Sequence, residues 1–183
     1  DFAVVEATPR IFYAANATGG VFKTDNAGLN FTQVFEKYGA ASIGAIAVSQ
    51  SNPDVLYIGT GEGNNSRTTY SGDGIYKSTD AGKTWANVGF KNVEAISRIR
   101  IHPTNPDIVY VAAFGNYHGP SDERGVFKST DGGTSWKRVL FRDNKTGAGD
   151  LSIDAKNPNV MYASLWEAYR IEYQMSSGGA GSG

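Results

Sequence analysis

Two segments of the sequence hold most of the side chains that could bind a ligand or take part in catalysis, residues 60–73 and residues 114–124. Both are predicted to be long loops on a scaffold of short strands, and loops of this length often carry function. Their mixture of polar and aromatic groups suits a carbohydrate or a peptide, although solvated loop polarity is the plainer explanation. The candidate ligand-binding residues are Glu62, Asn64, Arg67, Tyr70, Asp73, Tyr117, His118, Glu123 and Arg124.

Three of these carboxylates could also serve in catalysis. Glu62, Asp73 and Glu123 are predicted at the same end of neighbouring structural units. Hydrolysis of a glycosidic bond commonly needs two carboxyl groups about 5–10 Å apart across a cleft. These three are therefore the carboxylates to test, while the sequence alone assigns no catalytic residue.

Metal binding is a weaker hypothesis. His118 has no second His or Cys near it in the sequence to complete a transition-metal set, and His102, before Pro103, is expected to be structural. Residues 143–150 are predicted to form an oxygen-rich, glycine-containing loop, which would suit calcium. Lys145 and the missing terminal Glu depart from the EF-hand pattern. We therefore predict no cofactor and no metal site, with calcium at this loop as the open alternative.

The composition narrows the class of protein. Lys and Arg number 17 against 18 Asp and Glu, so there is no basic footprint for nucleic acid. The chain has no cysteine for disulfides, and no apolar run reaches the roughly 18 residues that a membrane-spanning helix needs. The 23 glycines, 10 tyrosines and 9 phenylalanines favour short strands joined by tight turns. These numbers indicate an all-β protein.

Two sequence signatures recur at a nearly constant period. The stretch at residues 74–85 returns at residues 125–136, an offset of 51 residues, and a weaker copy at residues 20–31 has Asn26 and Phe31 where the others have Asp and Trp. An Asn-Pro turn signature begins at Asn52, Asn105 and Asn157, at offsets of 53 and 52 residues. Because two independent signatures keep one period, the chain is a repeat protein.

Each unit divides into four short strands, the pattern of a β-propeller blade. We predict blades at residues 1–38, 39–92 and 93–145, and a partial blade at residues 146–183 that stops after its second strand near Trp166 and ends in a Gly/Ser-rich stretch. Known propellers close with about four to eight blades. We therefore expect the remaining blades to lie outside this chain and to be its partners.

The repeated Ser/Thr-x-Asp-x-Gly-x-Thr/Ser-Trp unit resembles the Asp-box, or bacterial neuraminidase repeat, of sialidases and sortilin-type receptors. Its Asp can accept backbone N–H groups inside a hairpin, its Gly permits the turn, and its Trp packs on the blade. These residues are therefore interpreted as structural. They are Ser78, Asp80, Gly82, Trp85, Ser129, Asp131, Gly133 and Trp136.

The resemblance extends beyond the box, through stretches such as Gly59-Thr60-Gly61-Glu62 and Glu123-Arg124-Gly125-Val126-Phe127, to secreted bacterial sortilin-like propellers. It implies a location outside the cytoplasm and favours a binding or scaffold propeller whose long loops meet a glycan, peptide or protein. The alternative is a glycoside hydrolase, sialidase-like or related, with most catalytic residues elsewhere. Ser97-Arg98-Ile99-Arg100, on a predicted innermost strand, does not match a sialidase arginine motif because the expected Pro is missing.

The order of strands in a meander decides which loops share a rim. The turns that join strands one to two and three to four lie at one end of a blade, and the loop from strand two to three lies at the other. The Asn-Pro turns and the Asp-boxes should therefore share one rim, and the two long loops should share the opposite rim.

Overall fold

The computed structural model describes residues 1–64 and 69–183, and in these residues it contains strands and no helix. Its four antiparallel sheets follow the order of the chain, as expected for propeller blades. The first holds β1 (Phe2–Val4), β2 (Phe12–Asn16), β3 (Gly20–Thr24) and β4 (Thr32–Gln33). The second holds β5 (Ile43–Val48), β6 (Leu56–Thr60), β7 (Ile75–Ser78) and β8 (Ala86–Gly89). The third holds β9 (Ala95–Ile101), β10 (Val109–Gly115), β11 (Gly125–Ser129) and β12 (Lys137–Leu140). The fourth holds β13 (Thr146–Ile153), β14 (Met161–Ile171) and β15 (Gln174–Ser177).

The first strand of every sheet lies on the inner edge of the stack. Strand β5 contacts β1 and β9, and β9 contacts β13, so the four first strands line the propeller axis. The apolar core lies between neighbouring sheets, where β6 and β10 are buried along their whole lengths. A strand buried on both faces needs apolar side chains at successive positions, which explains the runs from Leu56 to Ile58 and from Val109 to Phe114.

The fourth sheet corrects two expectations. Strand β14 continues past Trp166 to Ile171 and turns into β15, and the amide and carbonyl of Gly183 both bond to Leu165. The Gly/Ser-rich end is therefore part of the sheet edge, because backbone hydrogen bonds need no side-chain pattern. Thr146 to Asp150 form the start of β13 and not a loop, since they pair with β14. Among the described residues no cluster of three acidic or histidine side chains could hold a metal ion.

The Asp-boxes of the second and third blades adopt the same turn. Ser78 Oγ donates to Asp80 Oδ1 at 2.8 Å, and the backbone N–H and hydroxyl of Thr84 donate to the same carboxylate at 2.8 and 2.6 Å. Asp131 accepts the corresponding bonds, from Ser129 at 2.8 Å and from Ser135 at 2.9 and 2.6 Å. These bonds lower the pKa of both carboxyl groups to about 2. Both aspartates therefore serve to close a turn.

Hydrogen bonds join each box to the blade before it. Trp85 Nε1 donates to the carbonyl oxygen of Val34 at 2.9 Å, and Trp136 Nε1 donates to that of Val88 at 2.8 Å. Bonds also run the other way, because Lys23 Nζ donates to the Ala81 carbonyl and Lys77 Nζ to the Gly132 carbonyl, both at 3.0 Å. Neighbouring blades are thus linked reciprocally through the box.

The two rims differ as the topology predicts. The amide of Ala81 bonds to the carbonyl of Asp54 at 3.0 Å, and that of Gly132 bonds to Asp107 at 2.9 Å, so each box lies against the Asn-Pro turn of its own blade. The loops after β6 and β10 leave the sheets at the other end, where β5, β9 and β13 begin. The long loops consequently surround the entrance to the axis.

Candidate functional site

A cavity of about 320 Å³ lies at the axis on the long-loop rim. It is formed where residues of the inner strands meet the loop after β6, and all four blades contribute to its lining. Its polar side chains come from Asp1 before β1, from Glu62 and Asn64 in the loop, and from Ser97 and Arg98 in β9. The structure therefore brings two predicted ligand-binding residues, Glu62 and Asn64, beside a cation of the inner strand.

Arg98 carries the positive charge of this axial cavity and links three blades. Its Nε donates to Asp150 Oδ1 at 2.6 Å, and its Nη1 donates to Asp1 Oδ1 at 3.2 Å. Its hydrogen bond is one cause of the lowered pKa of Asp150, although partial burial of that carboxyl group acts in the opposite direction. Two carboxylates thus offset one guanidinium, and the cavity can offer both donors and acceptors without a strong net charge.

Glu62 is held in place by the bases of both long loops. Its Oε2 accepts the N–H of Tyr70 at 3.1 Å, and its backbone carbonyl accepts the hydroxyl of Tyr117. Burial, with a smaller contribution from Glu62, raises the pKa of Tyr117, so its phenol keeps the proton that it donates. The buried Tyr117 therefore positions the loop that carries Glu62.

Tyr117 and Arg124, two of the candidate ligand-binding residues, do not have the exposed side chains that a polar loop would suggest. Both are fully buried. The Tyr117 ring stacks on Phe114 at 4.4 Å, and the Arg124 guanidinium lies over the same ring at 4.8 Å. An amphipathic side chain can cover an apolar ring while its polar end meets loop carbonyls, and Arg124 Nη2 donates to those of Asn116 and Gly119.

Asp73 also has a structural environment. Its carboxylate accepts the Ala40 amide at 3.2 Å and the hydroxyls of Thr60 and Tyr76 at 3.1 and 2.8 Å. It therefore ties the long loop at residues 60–73 to the link between the first two blades. Tyr70 is half-exposed and lines a separate cavity of about 220 Å³ beside Ser42.

The remaining candidates lie apart from the axis. His118 and Arg124 line a cavity of about 380 Å³ between the third and fourth blades, and the His118 ring contacts Glu94 at 3.2 Å. Glu123 lines a third cavity, between the second and third blades. Arg67 lies outside the described residues. The three carboxylates proposed for catalysis, Glu62, Asp73 and Glu123, therefore do not meet in one cavity.

Sequence reasoning missed the contribution of the inner strands. Arg98 was noted as an inner-strand residue but given no role, because its motif was compared only with that of sialidases. Ser97 enters only as part of that motif, and Asp150 only as the last residue of the loop predicted at residues 143–150. Their positions on β9 and β13, combined with the expectation that first strands line the axis, were the signal that could have found them.

The family model described as sortilin, neurotensin receptor 3, matches residues 73–177, which is more than half of the chain. The chain belongs to the sortilin-Vps10 family. This match confirms the sortilin-type resemblance of the repeats, and it includes the long loop at residues 114–124.

Two curated proteins are similar to this sortilin-Vps10 chain. A probable oligoxyloglucan-reducing end-specific xyloglucanase from Neosartorya fischeri is 27% identical over 147 residues, 78% of this chain and 17% of that protein. A xyloglucanase from Hypocrea jecorina is 30% identical over 166 residues, 83% of this chain and 18% of that protein. The chain thus spans less than a fifth of the length of the curated relatives it matches.

A solved structure shows the same fold. The crystal structure of an ancestral GH74 enzyme superposes with a TM-score of 0.71 at 21% identity, covering 91% of this chain and 22% of that one. The likeness confirms the prediction of an incomplete β-propeller made of four-stranded blades.

Proposed function

We propose that this chain is part of a glycan-binding propeller, and that its axial cavity binds a neutral polysaccharide. The observation that carries the proposal is the convergence of Glu62, Asn64, Ser97 and Arg98 on one cavity at the long-loop rim. Carboxylate, amide, hydroxyl and guanidinium groups together match the alternating donors and acceptors of sugar hydroxyls.

The charge of the cavity favours a neutral ligand over an anionic one. Arg98 already has two carboxylate partners, Asp1 and Asp150, and Glu62 adds a further negative charge. An acidic ligand would have to displace these partners or bear their repulsion. The names of the curated relatives point to xyloglucan, which is the first ligand to test.

The binding test compares the full-length wild-type protein with Arg98→Ala and with the exposed Lys156→Ala, which lies in the Asn-Pro turn of the opposite rim. Titration calorimetry with xyloglucan oligosaccharides should show about tenfold or more weaker binding for Arg98→Ala, since a hydrogen bond to a charged group is lost. Lys156→Ala should bind as the wild type does. Equal binding by all three proteins would contradict the axial site.

Hydrolysis is the second candidate function, and Glu62 is the residue that favours it. Among the described residues Glu62 forms no ion pair, whereas Asp1, the other carboxylate of the cavity, is paired with Arg98. An unpaired carboxyl group can exchange a proton during glycoside cleavage. Glu62→Gln should then abolish release of reducing ends while leaving oligosaccharide binding within a fewfold of wild type. If Glu62→Gln retains both the release of reducing ends and oligosaccharide binding, Glu62 has no catalytic role.

The wider setting of the chain forms part of the same proposal. The remaining blades of the propeller are its first partners, and a polysaccharide ligand places the protein outside the cytoplasm. The described residues contain no helix with the length and apolarity to cross a membrane. The blade boundaries at residues 38, 92 and 145 remain predictions within this scheme.

A further inference from the structure

The contact between the first and second blades contains a closed group of aromatic rings. Phe35 lies edge-on to Tyr76 at 5.1 Å and to Trp85 at 5.7 Å. Tyr38 then stacks on Phe35 at 5.6 Å with an interplanar angle of 21°. The three inner rings are buried, with exposures of 1%, 8% and 7%. The Tyr38 ring thus covers this group of three rings, which we call the first triad.

The contact between the second and third blades contains a second triad of rings, but no fourth ring stacks on it. Phe90 lies edge-on to Phe127 at 4.9 Å and to Trp136 at 5.2 Å. Both triads are followed by the same backbone bond, from Tyr38 to Phe35 at 3.3 Å and from Val93 to Phe90 at 2.9 Å. The counterpart of Tyr38 is therefore the small, buried side chain of Val93.

Without a fourth ring, the second triad borders an open groove. Its three rings are all partly exposed, and the groove has a volume of about 470 Å³. The rest of its wall is polar and consists of Asp122, Glu123 and Arg138. Arg138 is fixed there because its Nη1 donates to the carbonyl of Asp122 and its guanidinium lies 3.8 Å from the Phe141 ring centroid.

We propose that this groove is a second carbohydrate site, in which the face of one pyranose ring takes the place that the Tyr38 ring has over the first triad. A sugar ring presents C–H groups on its face and hydroxyl groups around its edge. The rings of Phe90 and Trp136 would pack against the face of the sugar ring, and the carboxylates and guanidinium of the groove wall would form hydrogen bonds with its hydroxyls. The inference rests on the proposed glycan-binding function.

The polar wall of the groove fits a sugar better than it fits an aromatic side chain of another protein. Asp122 and Glu123 can accept hydrogen bonds from sugar hydroxyls, and Arg138 can donate hydrogen bonds to them. An apolar ring has no groups that could form these bonds. Two carboxylates and one guanidinium also leave the groove without positive charge, so a neutral pyranose suits it better than an acidic one.

Fluorescence of Trp136 gives a direct readout in the full-length protein. Xyloglucan oligosaccharides should protect a tryptophan from acrylamide quenching in the wild type, and this protection should be lost in Trp136→Phe. Arg138→Ala should raise the oligosaccharide concentration needed for half-protection about tenfold, because a charged hydrogen-bond donor is removed. Lys137→Ala, the exposed neighbour on the same strand, is the matched control and should behave as the wild type.

Val93→Tyr tests the repeat argument itself. If the groove is the uncovered equivalent of the Tyr38 site, a tyrosine at Val93 should occupy it and protect Trp136 without sugar. Because Val93 is buried and this variant could fail to fold, Arg138→Ala keeps the proposal testable. The proposal is overturned if sugar leaves Trp136 quenching unchanged, or if Arg138→Ala and Lys137→Ala are equivalent. It is also overturned if Trp136 is protected in the full-length protein before any sugar is added, since a protein segment then fills the groove.

Failure of this site can be told apart from failure of the axial site. If Arg98→Ala weakens the binding seen by calorimetry but retains sugar protection of Trp136, both sites stand. If Arg98→Ala binds normally and Trp136 is still protected, the groove stands and the axial proposal fails. If Arg98→Ala also abolishes the protection, the groove is no independent site and the inference is wrong.

Discussion

At the scale of single residues, the sequence predicts turn chemistry well and burial poorly. Asp80 and Asp131 occupy equivalent turns because their bonds reach only a few residues along the chain. Tyr117 is buried by contacts with the second and fourth blades, through Glu62 and Ala168, whereas Arg124 is buried against Phe114 and the carbonyls of its own loop. A polar residue in a long predicted loop therefore cannot be assigned to solvent from local sequence alone.

The first prediction concerns Tyr117. Tyr117→Ala should lower the free energy of unfolding by about 3–5 kcal/mol, as for other buried aromatic side chains, whereas Tyr117→Phe should cost about 1 kcal/mol through the lost bond to Glu62. Chemical denaturation measures both. The exposed Tyr173→Ala is the control and should change little. A small effect of Tyr117→Ala would mean that the loop is not packed as described.

The second prediction concerns the pH dependence of the boxes. The hydroxyl and amide bonds of Ser135 hold the pKa of Asp131 at about 2, below its ordinary 3.8. A lowered folded-state pKa stabilises the protein above pH 4, and this contribution is lost as the pH falls from about 4 to 2. Asp131→Asn should melt at a lower temperature than the wild type at pH 7, with the difference shrinking towards pH 2.

The variant should fold, because the first blade already has Asn26 in this place, where its side-chain oxygen accepts the Asn30 amide at 3.0 Å. Glu36→Gln, an exposed change outside the boxes, is the matched control for the altered charge. A melting difference that stays constant from pH 7 to pH 2 would show that Asp131 does not titrate with folding.

At the scale of elements, four-stranded blades follow from the period of the sequence, while the contacts between blades do not. The repeat places Trp85 and Trp136 in equivalent positions, but only the structure shows that each indole bonds to the preceding blade. The fourth sheet shows the opposite case. Strand β15 has no Asp-box signature, so the sequence does not predict it. This strand is specified by pairing with β14 and not by its own sequence.

The third prediction follows from these contacts. Trp85→Phe keeps an aromatic ring between the first two blades but leaves the Val34 carbonyl without its indole donor. Loss of this partly buried bond should reduce stability by about 1–3 kcal/mol. Equilibrium denaturation of the full-length protein is the measurement, and Trp166→Phe, outside any box, is the control. If Trp85→Phe is as stable as the wild type, the indole hydrogen bond does not stabilise the contact between blades.

At the scale of the whole molecule, the sequence predicts an incomplete propeller, and the described sheets agree with it. The site was only partly predicted, since Glu62 and Asn64 reach the axial cavity while Arg98 was overlooked. Axial geometry depends on how several blades converge, and a single-blade pattern does not contain that information.

The fourth prediction concerns the free surfaces of the stack. Phe2, Leu29 and Phe31 are 68%, 83% and 47% exposed on the first blade, and such apolar surface usually meets a partner. The 183-residue chain alone should therefore self-associate in sedimentation velocity experiments. Phe2→Ser combined with Leu29→Ser should reduce the associated fraction, and the full-length protein should not share the behaviour. A monomeric wild-type chain at all concentrations would contradict this expectation.

The reciprocal bonds at each box also bear on how such proteins change their size during evolution. The Trp of one blade donates to a backbone carbonyl of the blade before it, and the Lys of that earlier blade donates to a box carbonyl in return. A duplicated blade would therefore arrive with matching bonding groups on both faces, and removal of one blade would leave two faces that still fit each other. The number of blades can consequently vary between descendants of one gene without redesign of any single interface.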